Sequence, residues 1–500
     1  MSSEITLPVW LVALAGVFAL WSVIDRMLVP SVRWVLRRRF NRAVERLNTR
    51  LQLRIQPFKL AKRRALIDQL IFDPEVLHAI EDYATTNGVP REVAQDKARR
   101  YAKEIVPSFS AYTYFGIGTR LSRRVSQFLY RVRLGYVDQA ALQKVDPKAA
   151  VIFVMNHRSN MDYILVTYMA ATTSALSYAV GEWARVWLLQ NLIRGMGAYF
   201  VRRDSSEPLY RKVLSRYVHM ATAAGVTQAV FPEGGLTRNG ALQPAKLGLL
   251  SYMVSSFDPN GARDIVFVPV GVNYDRVLED RVQLAALETK EKRPRFKFSL
   301  GVFMGFMLKS LWQQMTGRWL KYGYACVSFG TPISMKDYLR ARTLDFRTLG
   351  PDARFAEIDT FGRLLMTCVG QVVPALPVPL AATALLEAGA LGASGFELKG
   401  RVYELIRDLA AQGRHVHIPR AGQEAAVDMG LKMLTMRHLV IETDGVYRIN
   451  PAEIALLRYY ANSIAQLIVK PAAATSAGVA TPSAFAMPPA GQRPAAAINV

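Results

Sequence analysis

Five hundred residues, 51% hydrophobic and 20% charged, suffice for at least one large core and exclude a chain that stays disordered throughout. Sixty-three basic residues against 39 acidic ones give a formal charge of +24, which suits a polyanionic partner: anionic lipid, a phosphate-bearing substrate or nucleic acid. Long uncharged runs are too few for a polytopic membrane protein.

One such run opens the chain. Ile5 to Val23 carries no charge over 19 residues, about the length that crosses a bilayer core, and basic residues from Arg26 through Arg39 crowd its C-terminal side. This predicts a membrane anchor with the bulk of the chain on the cytoplasmic side. From Ser31 to Leu66 basic residues dominate; Phe40, Val44, Leu47 and Leu51 recur at helical spacing, and Arg42, Arg46, Arg50 and Arg54 form a separate row. A basic amphipathic helix of this kind can lie on anionic lipid.

The apolar run Ala149 to Met155 reads as a buried strand, followed by Asn156-His157-Arg158-Ser159-Asn160-Met161-Asp162. On a continuous helix, five steps would set His157 and Asp162 roughly 140° apart, so contact between them requires a turn. Ser159 or Asn160 is placed to cap a helix entering at Tyr163. A carboxylate on one imidazole nitrogen holds the tautomer and makes the other nitrogen a better base toward a hydroxyl. A competing nucleophile has no motif: there is no Gly-x-Ser-x-Gly elbow, and Cys326 and Cys368 sit in apolar contexts.

Three later segments carry anion chemistry. Gly197 to Asp204 is a short strand ending in Arg202 and Arg203, whose guanidinium forks match phosphate. Val230 to Gly240 runs from a strand into Glu233, Gly234 and Gly235, with Arg238 and Lys246 adding positive charge; paired glycines allow backbone N–H groups close to an anion. Ile265 to Tyr274 is a buried strand interrupted by Pro269, which predicts an edge position or a site-shaping bulge.

Further along, Phe298 to Leu320 reads as an amphipathic helix packed on the body, and Tyr324 to Phe329 as another buried strand. Val372 to Leu386 is uncharged but holds three prolines and is too short to span, so it reads as a core or membrane-facing element. Leu398 to Ile449 reads as short helices followed by a hairpin turning at Asp444-Gly445, a winged-helix-like pattern. From Pro471 onward Ala, Pro, Ser and Gly dominate, which predicts a disordered tail. His219, His415, His417 and His438 form no metal-ligand constellation.

Taken in order, His157-Arg-Ser-Asn-Met-Asp162, Gly197 to Arg203, Phe231-Pro-Glu-Gly-Gly235 with Thr237 and Arg238, and Val268-Pro269-Val270 resemble the four sequence blocks of the glycerolipid acyltransferase family. The resemblance is greatest to its bacterial membrane-bound glycerol-3-phosphate acyltransferases and their dihydroxyacetone-phosphate relatives. Asp73-Pro74-Glu75-Val76 and Leu456 to Ile464 are similar to that group's regions before and after the catalytic core. The resemblance implies His157 as general base and Asp162 as its orienting partner. It implies acceptor binding by Arg202, Arg203, Glu233, Gly234, Gly235, Arg238 and Lys246, with Pro269 on the acyl-donor side.

The expected fold is α/β, a mainly parallel sheet flanked by helices, with an N-terminal membrane helix, a helical region and a smaller C-terminal α+β region. The expected divisions are an anchor over 1–30, a basic and helical region over 31–145, the acyltransferase core over 146–345, a helical and winged-helix-like region over 346–470 and the tail over 471–500. The implied reaction moves an acyl group from acyl-CoA or acyl-carrier-protein to the sn-1 hydroxyl of glycerol 3-phosphate at the inner membrane, without metal or redox cofactor. Dihydroxyacetone phosphate or lysophosphatidate is the alternative acceptor. The alternative from another class is a basic winged-helix-like nucleic-acid binder; nucleic acid is not the partner the main reading expects.

Overall fold

The computed structural model describes residues 55–170, 175–181, 187–202, 207–288, 321–418 and 423–468, together with Pro8, Trp10 and Gly16. The expected anchor over 1–30, most of the basic amphipathic segment, Arg203, the helix expected over 298–320 and the tail from 471 lie outside these residues. No helix among the described residues is long and apolar enough to cross a membrane.

After a short helical turn at Pro57–Leu60 come three longer helices, α1 (Arg63–Ile71), α2 (Pro74–Asn87) and α3 (Arg91–Ile105). Asp73 starts α2 by accepting the N–H of Glu75, and Gly88, at φ +62°, ends it in the left-handed region. After α4 (Thr119–Leu129) the chain enters β1 (Arg131–Val137), a strand inside a segment expected to be helical. Tyr130-Arg-Val-Arg-Leu is too short a stretch to reveal its period, and β1 is an edge strand supported on one side by β7.

The strands β2 (Ala150–Met155), β3 (Ser177–Gly181), β4 (Tyr199–Val201), β5 (Gln228–Val230), β6 (Ile265–Tyr274) and β7 (Tyr324–Phe329) complete the sheet in the order β1-β7-β6-β2-β5-β3-β4, and β8 (Ile333–Ser334) pairs with β6. Strands β2 to β6 are mutually parallel where they pair, whereas β7 and β8 run antiparallel to β6. The mainly parallel α/β sheet is therefore as the sequence indicates. Helices α5 (Met161–Met169) and α6 (Pro208–Ala223) belong to the crossovers. One core cluster runs from Leu66 through Ile152, Tyr217 and Phe267 to Val369, so the helices before the sheet share its core. Arg216 on α6 grips Asp73 with two bonds of 2.9 and 2.7 Å, which ties the start of α2 to this body.

Pro269 departs from expectation. It lies in β6, between β2 and β7, neither at an edge nor in a bulge. Its carbonyl accepts Gly330 N–H at 2.8 Å, and in an extended strand a residue's N–H and C=O point to the same side. The missing N–H thus faces the turn between β7, which pairs from Val270, and β8, which pairs at Phe267 and Val266. No ladder bond is lost there.

C-terminal to the sheet stand α7 (Pro351–Val372), α8 (Pro377–Ala388), α9 (Gly395–Ala411), α10 (Gln423–Met436) and α11 (Ile454–Asn462). Most of the uncharged stretch, Pro377 to Leu385, is the buried first part of α8, and Pro374 lies in the link between α7 and α8. Strands β9 (Ala393–Ser394), β10 (Val440–Thr443) and β11 (Val446–Ile449) form a small antiparallel sheet, turning at Asp444 and Gly445, both at positive φ. The winged-helix-like order of helices and hairpin is present, but α10 carries Glu424 and Asp428, both paired with Lys399.

Candidate active site

Strand β2 is the first strand of the parallel group, and the chain leaves it toward β3 and β4 before returning to β5 on one side and β6 on the other. This is a topological switch point, where the carboxyl ends of strands in open α/β sheets form a crevice. Asn156 closes β2 by exchanging two side-chain bonds of 2.8 Å with the N–H and C=O of Val272 on β6. The loop Asn156–Asn160 then reverses into α5, and Asp162 falls in its first turn. Ser159 Oγ accepts the N–H of Met161, the first residue of the helix, at 3.1 Å.

The reversal brings His157 Nδ1 to 2.9 Å from Asp162 Oδ2. The same carboxylate accepts the N–H groups of Arg158 at 2.7 Å and Ser159 at 3.0 Å, and Tyr274 Oη donates to Oδ1 at 2.7 Å. A carboxylate so placed only accepts, so Nδ1 carries the hydrogen and Nε2 is the basic nitrogen. The imidazole lies against Phe231, ring centroids 4.1 Å apart, with Tyr163 edge-on at 5.4 Å. Side-chain exposure is 1% for His157 and 0% for Asp162. Nε2 is itself shielded from solvent.

The Gly-Gly loop after β5 supports the histidine from behind. Glu233 turns inward: Oε1 accepts the backbone N–H of His157 at 2.8 Å and Oε2 that of Gln243 at 3.3 Å. Its carboxyl, expected among acceptor-binding groups, is thus spent on holding two backbone segments. Burial raises Glu233 to about 7, against the opposing pull of His157 N–H and the Arg158 charge. Thr237 N–H bonds His157 O at 3.0 Å, a second tie between the two loops. Gly234, at φ +70°, lets the loop turn beneath Lys246, whose Nζ would stand 3.2 Å from a Cβ placed there. Lys246 is exposed, and Arg238 is half-buried on the same loop.

Arg202 is elsewhere. It follows β4, three strands from β2 and so about 14 Å away across the sheet. Its guanidinium forms a fork with Glu104 at 2.9 and 2.7 Å and lies over Tyr101 and Tyr210, each 5.1 Å from the ring centroid. The structure joins His157, Asp162, Glu233, Gly234 and the loop bearing Arg238 and Lys246, and leaves Arg202 in an ion pair.

Three groups not singled out in the sequence belong to the site. Tyr274 holds Asp162 from the end of β6. Glu279, buried and raised chiefly by desolvation, accepts Ser159 Oγ at 2.7 Å and both nitrogens of Asn160, at 3.2 and 3.0 Å. Arg158, between the histidine and Ser159, is 1% exposed. Only Arg158 had a signal, a charged side chain inside the motif itself. Cys326 is buried and its thiol is pushed up, and burial raises Cys368 to about 11, so neither thiol is poised as a nucleophile. No group of three or more His, Cys, Asp or Glu among the described residues is arranged to hold a metal ion.

Comparison with known proteins finds two family matches along the chain. Residues 137–273 match the acyltransferase family model, and residues 309–490 match that of the glycerol-3-phosphate acyltransferase C-terminal region. A glycerol-3-phosphate acyltransferase of Pseudomonas entomophila (strain L48) is 29% identical over 432 residues, covering 82% of this chain and 50% of that protein. One of Pseudomonas putida (strain W619) is 28% identical over 433 residues, covering 83% and 50%. The chain spans about half the length of the curated relatives it matches. Among solved structures, the 1-acyl-sn-glycerophosphate acyltransferase PlsC of Thermotoga maritima aligns over 61% of this chain and 96% of its own at 14% identity and a TM-score of 0.29.

Proposed function

Since the chain belongs to the glycerolipid acyltransferase family, we propose that it transfers an acyl group from a thioester, acyl-CoA or acyl-carrier-protein, to the sn-1 hydroxyl of glycerol 3-phosphate. The observation that carries this reading is the buried His157–Asp162 contact, with Nδ1 committed to the carboxylate and Nε2 left as the base. Nε2 takes the hydroxyl proton as the oxygen attacks the thioester carbonyl carbon. Asp162 stabilises the imidazolium that results. The tetrahedral adduct collapses by breaking the C–S bond, and the proton on Nε2 passes to the departing thiolate, leaving 1-acyl-glycerol 3-phosphate and free thiol. General-base catalysis of this kind supplies about 10²–10⁴-fold, and positioning of hydroxyl and thioester much of the remainder.

Arg238 and Lys246 are the cations beside the Gly-Gly loop and are assigned the acceptor phosphate, as is Arg203 from the segment after β4. Arg202 joins them only by exchanging Glu104 for phosphate. Pro269, within β6, is assigned to the donor side. The uncharged run Ile5 to Val23 and the basic segment after it support attachment to the inner membrane with the catalytic region on the cytoplasmic side.

The test is turnover. Purified protein supplied with labelled acyl-CoA or acyl-carrier-protein and glycerol 3-phosphate should form lysophosphatidate, and competition with dihydroxyacetone phosphate or lysophosphatidate should leave that product dominant. Full activity in a folded His157→Ala protein would overturn the mechanism.

A further inference from the structure

The guanidinium of Arg158 is a fully buried cation whose hydrogen-bond partners are main-chain carbonyls. Nη1 donates to Gly240 O, beyond the Gly-Gly loop, and Nη2 donates to Ser463 O at 2.8 Å. Ser463 is the residue that ends α11, so the cation sits where the last carbonyls of that helix concentrate negative potential. Burial lowers the pKa of Arg158, while Tyr459, Glu233 and Asp162 pull it back up. An arginine kept at 1% exposure needs such compensation, because an uncompensated buried charge costs several kcal/mol.

The contacts around it converge on one joint. Asn462 Nδ2 donates to Asn239 O at 2.9 Å, and Asn273 Nδ2 reaches Pro374 O at 3.0 Å and Ser463 Oγ at 3.3 Å. Gly240, at φ +81°, packs so tightly that a Cβ there would run into the Tyr459 carbonyl. The residue after the catalytic histidine, the loop beneath the acceptor cations and the end of α11 are thus pinned by one side chain.

We propose that Arg158 is a positioning residue that makes the dyad geometry depend on docking of the C-terminal helix α11, so that the C-terminal region is an integral part of the active site. Arg158 touches no reacting atom. Its guanidinium ties the residue after His157 to Gly240 O and Ser463 O, while Glu233 accepts the His157 N–H, and the bond to Ser463 O forms only when α11 is seated. This deepens the acyl-transfer reading and rests on it for the kinetic readout.

A double-mutant cycle tests the coupling. Arg158→Met removes the clamp from the dyad side, Gly240→Ala displaces α11 from the other, and Arg158→Lys keeps the charge with a single reach. In full-length protein shown folded by circular dichroism, Arg158→Met should lower kcat about 10–100-fold, the scale of lost charge-assisted bonds, with donor KM little changed. Arg158→Lys should recover part of it, and the double variant should be no worse than the poorer single within about threefold. The acidic limb of the pH profile should move upward in Arg158→Met, because Glu233 loses its neighbouring cation, and stay in place in Gly240→Ala. Amide exchange over 454–463 should quicken in both single variants. Multiplicative losses in the double variant, or unchanged exchange in α11, would overturn the proposal. Because the exchange arm needs no turnover, an inactive wild-type protein would count against acyl transfer and leave the joint to be judged by exchange alone.

Discussion

The ends of β2 and β4 lie on the same side of the same sheet, yet they treat charge in opposite ways. At β2, Asp162, Glu233, Glu279 and Arg158 are all buried, and their polar atoms are committed largely to main-chain groups of three loops. At β4, the side chain of Arg202 is 34% exposed and bound to another side chain, Glu104. Main-chain partners in a low-dielectric site fix geometry, because no rotamer change releases them. A partly exposed ion pair contributes at most about 1 kcal/mol and exchanges partners readily. The first arrangement suits a catalytic base, whose position must not drift, and the second suits a group that trades one anion for another.

Substitutions at the two ends should therefore separate in size. His157→Ala is expected to lower kcat by about 10³-fold, read as labelled lysophosphatidate formed by protein of verified fold. Glu233→Gln comes next, with kcat down about 10–100-fold from the loss of a charge-assisted bond to His157 N–H. Its pH dependence sharpens the point. With Glu233 raised to about 7, the wild-type carboxyl gains a proton as pH falls through that value and its grip on His157 N–H weakens, so activity should decline on the acidic side. In Glu233→Gln the part of that decline owed to residue 233 should vanish, leaving only the titration of the dyad.

Acceptor-side changes should be smaller. Arg238→Ala is expected to raise the glycerol 3-phosphate KM about tenfold with the donor KM little affected, measured by varying each substrate in turn. Arg202→Ala should raise the acceptor KM only about threefold, since its fork is already spent on Glu104, and Glu104→Gln should shift it by a similar factor in the opposite direction. A larger acceptor effect at Arg202 than at Arg238 would break the comparison and move the phosphate to the β4 end.

Much of the site was legible without coordinates because it is local. His157 and Asp162 are five residues apart after an apolar run, and the need for a turn between them follows from helical geometry alone. The buried strands over 150–155, 265–274 and 324–329 and the Asp444-Gly445 hairpin follow from run length and turn chemistry in the same way. Long-range neighbours gave no such signal. Glu279 reaches Ser159 across 120 positions and Arg158 reaches Ser463 across 305. The inward turn of Glu233 and the capture of Arg202 by Glu104 likewise depend on which loops and helices meet. Pro269 shows the limit from the other side: a proline inside a strand argues for an edge, and only the switch of partner from β7 to β8 leaves its absent N–H without cost. By itself the sequence determined the α/β class and the histidine–carboxylate pair, since both arise from spacing and hydrophobic pattern within a few tens of residues. Tertiary structure alone decided which charges hold that pair in place, because buried charges are paid for by whatever donors and acceptors the packing brings within 3 Å, wherever those lie in the chain.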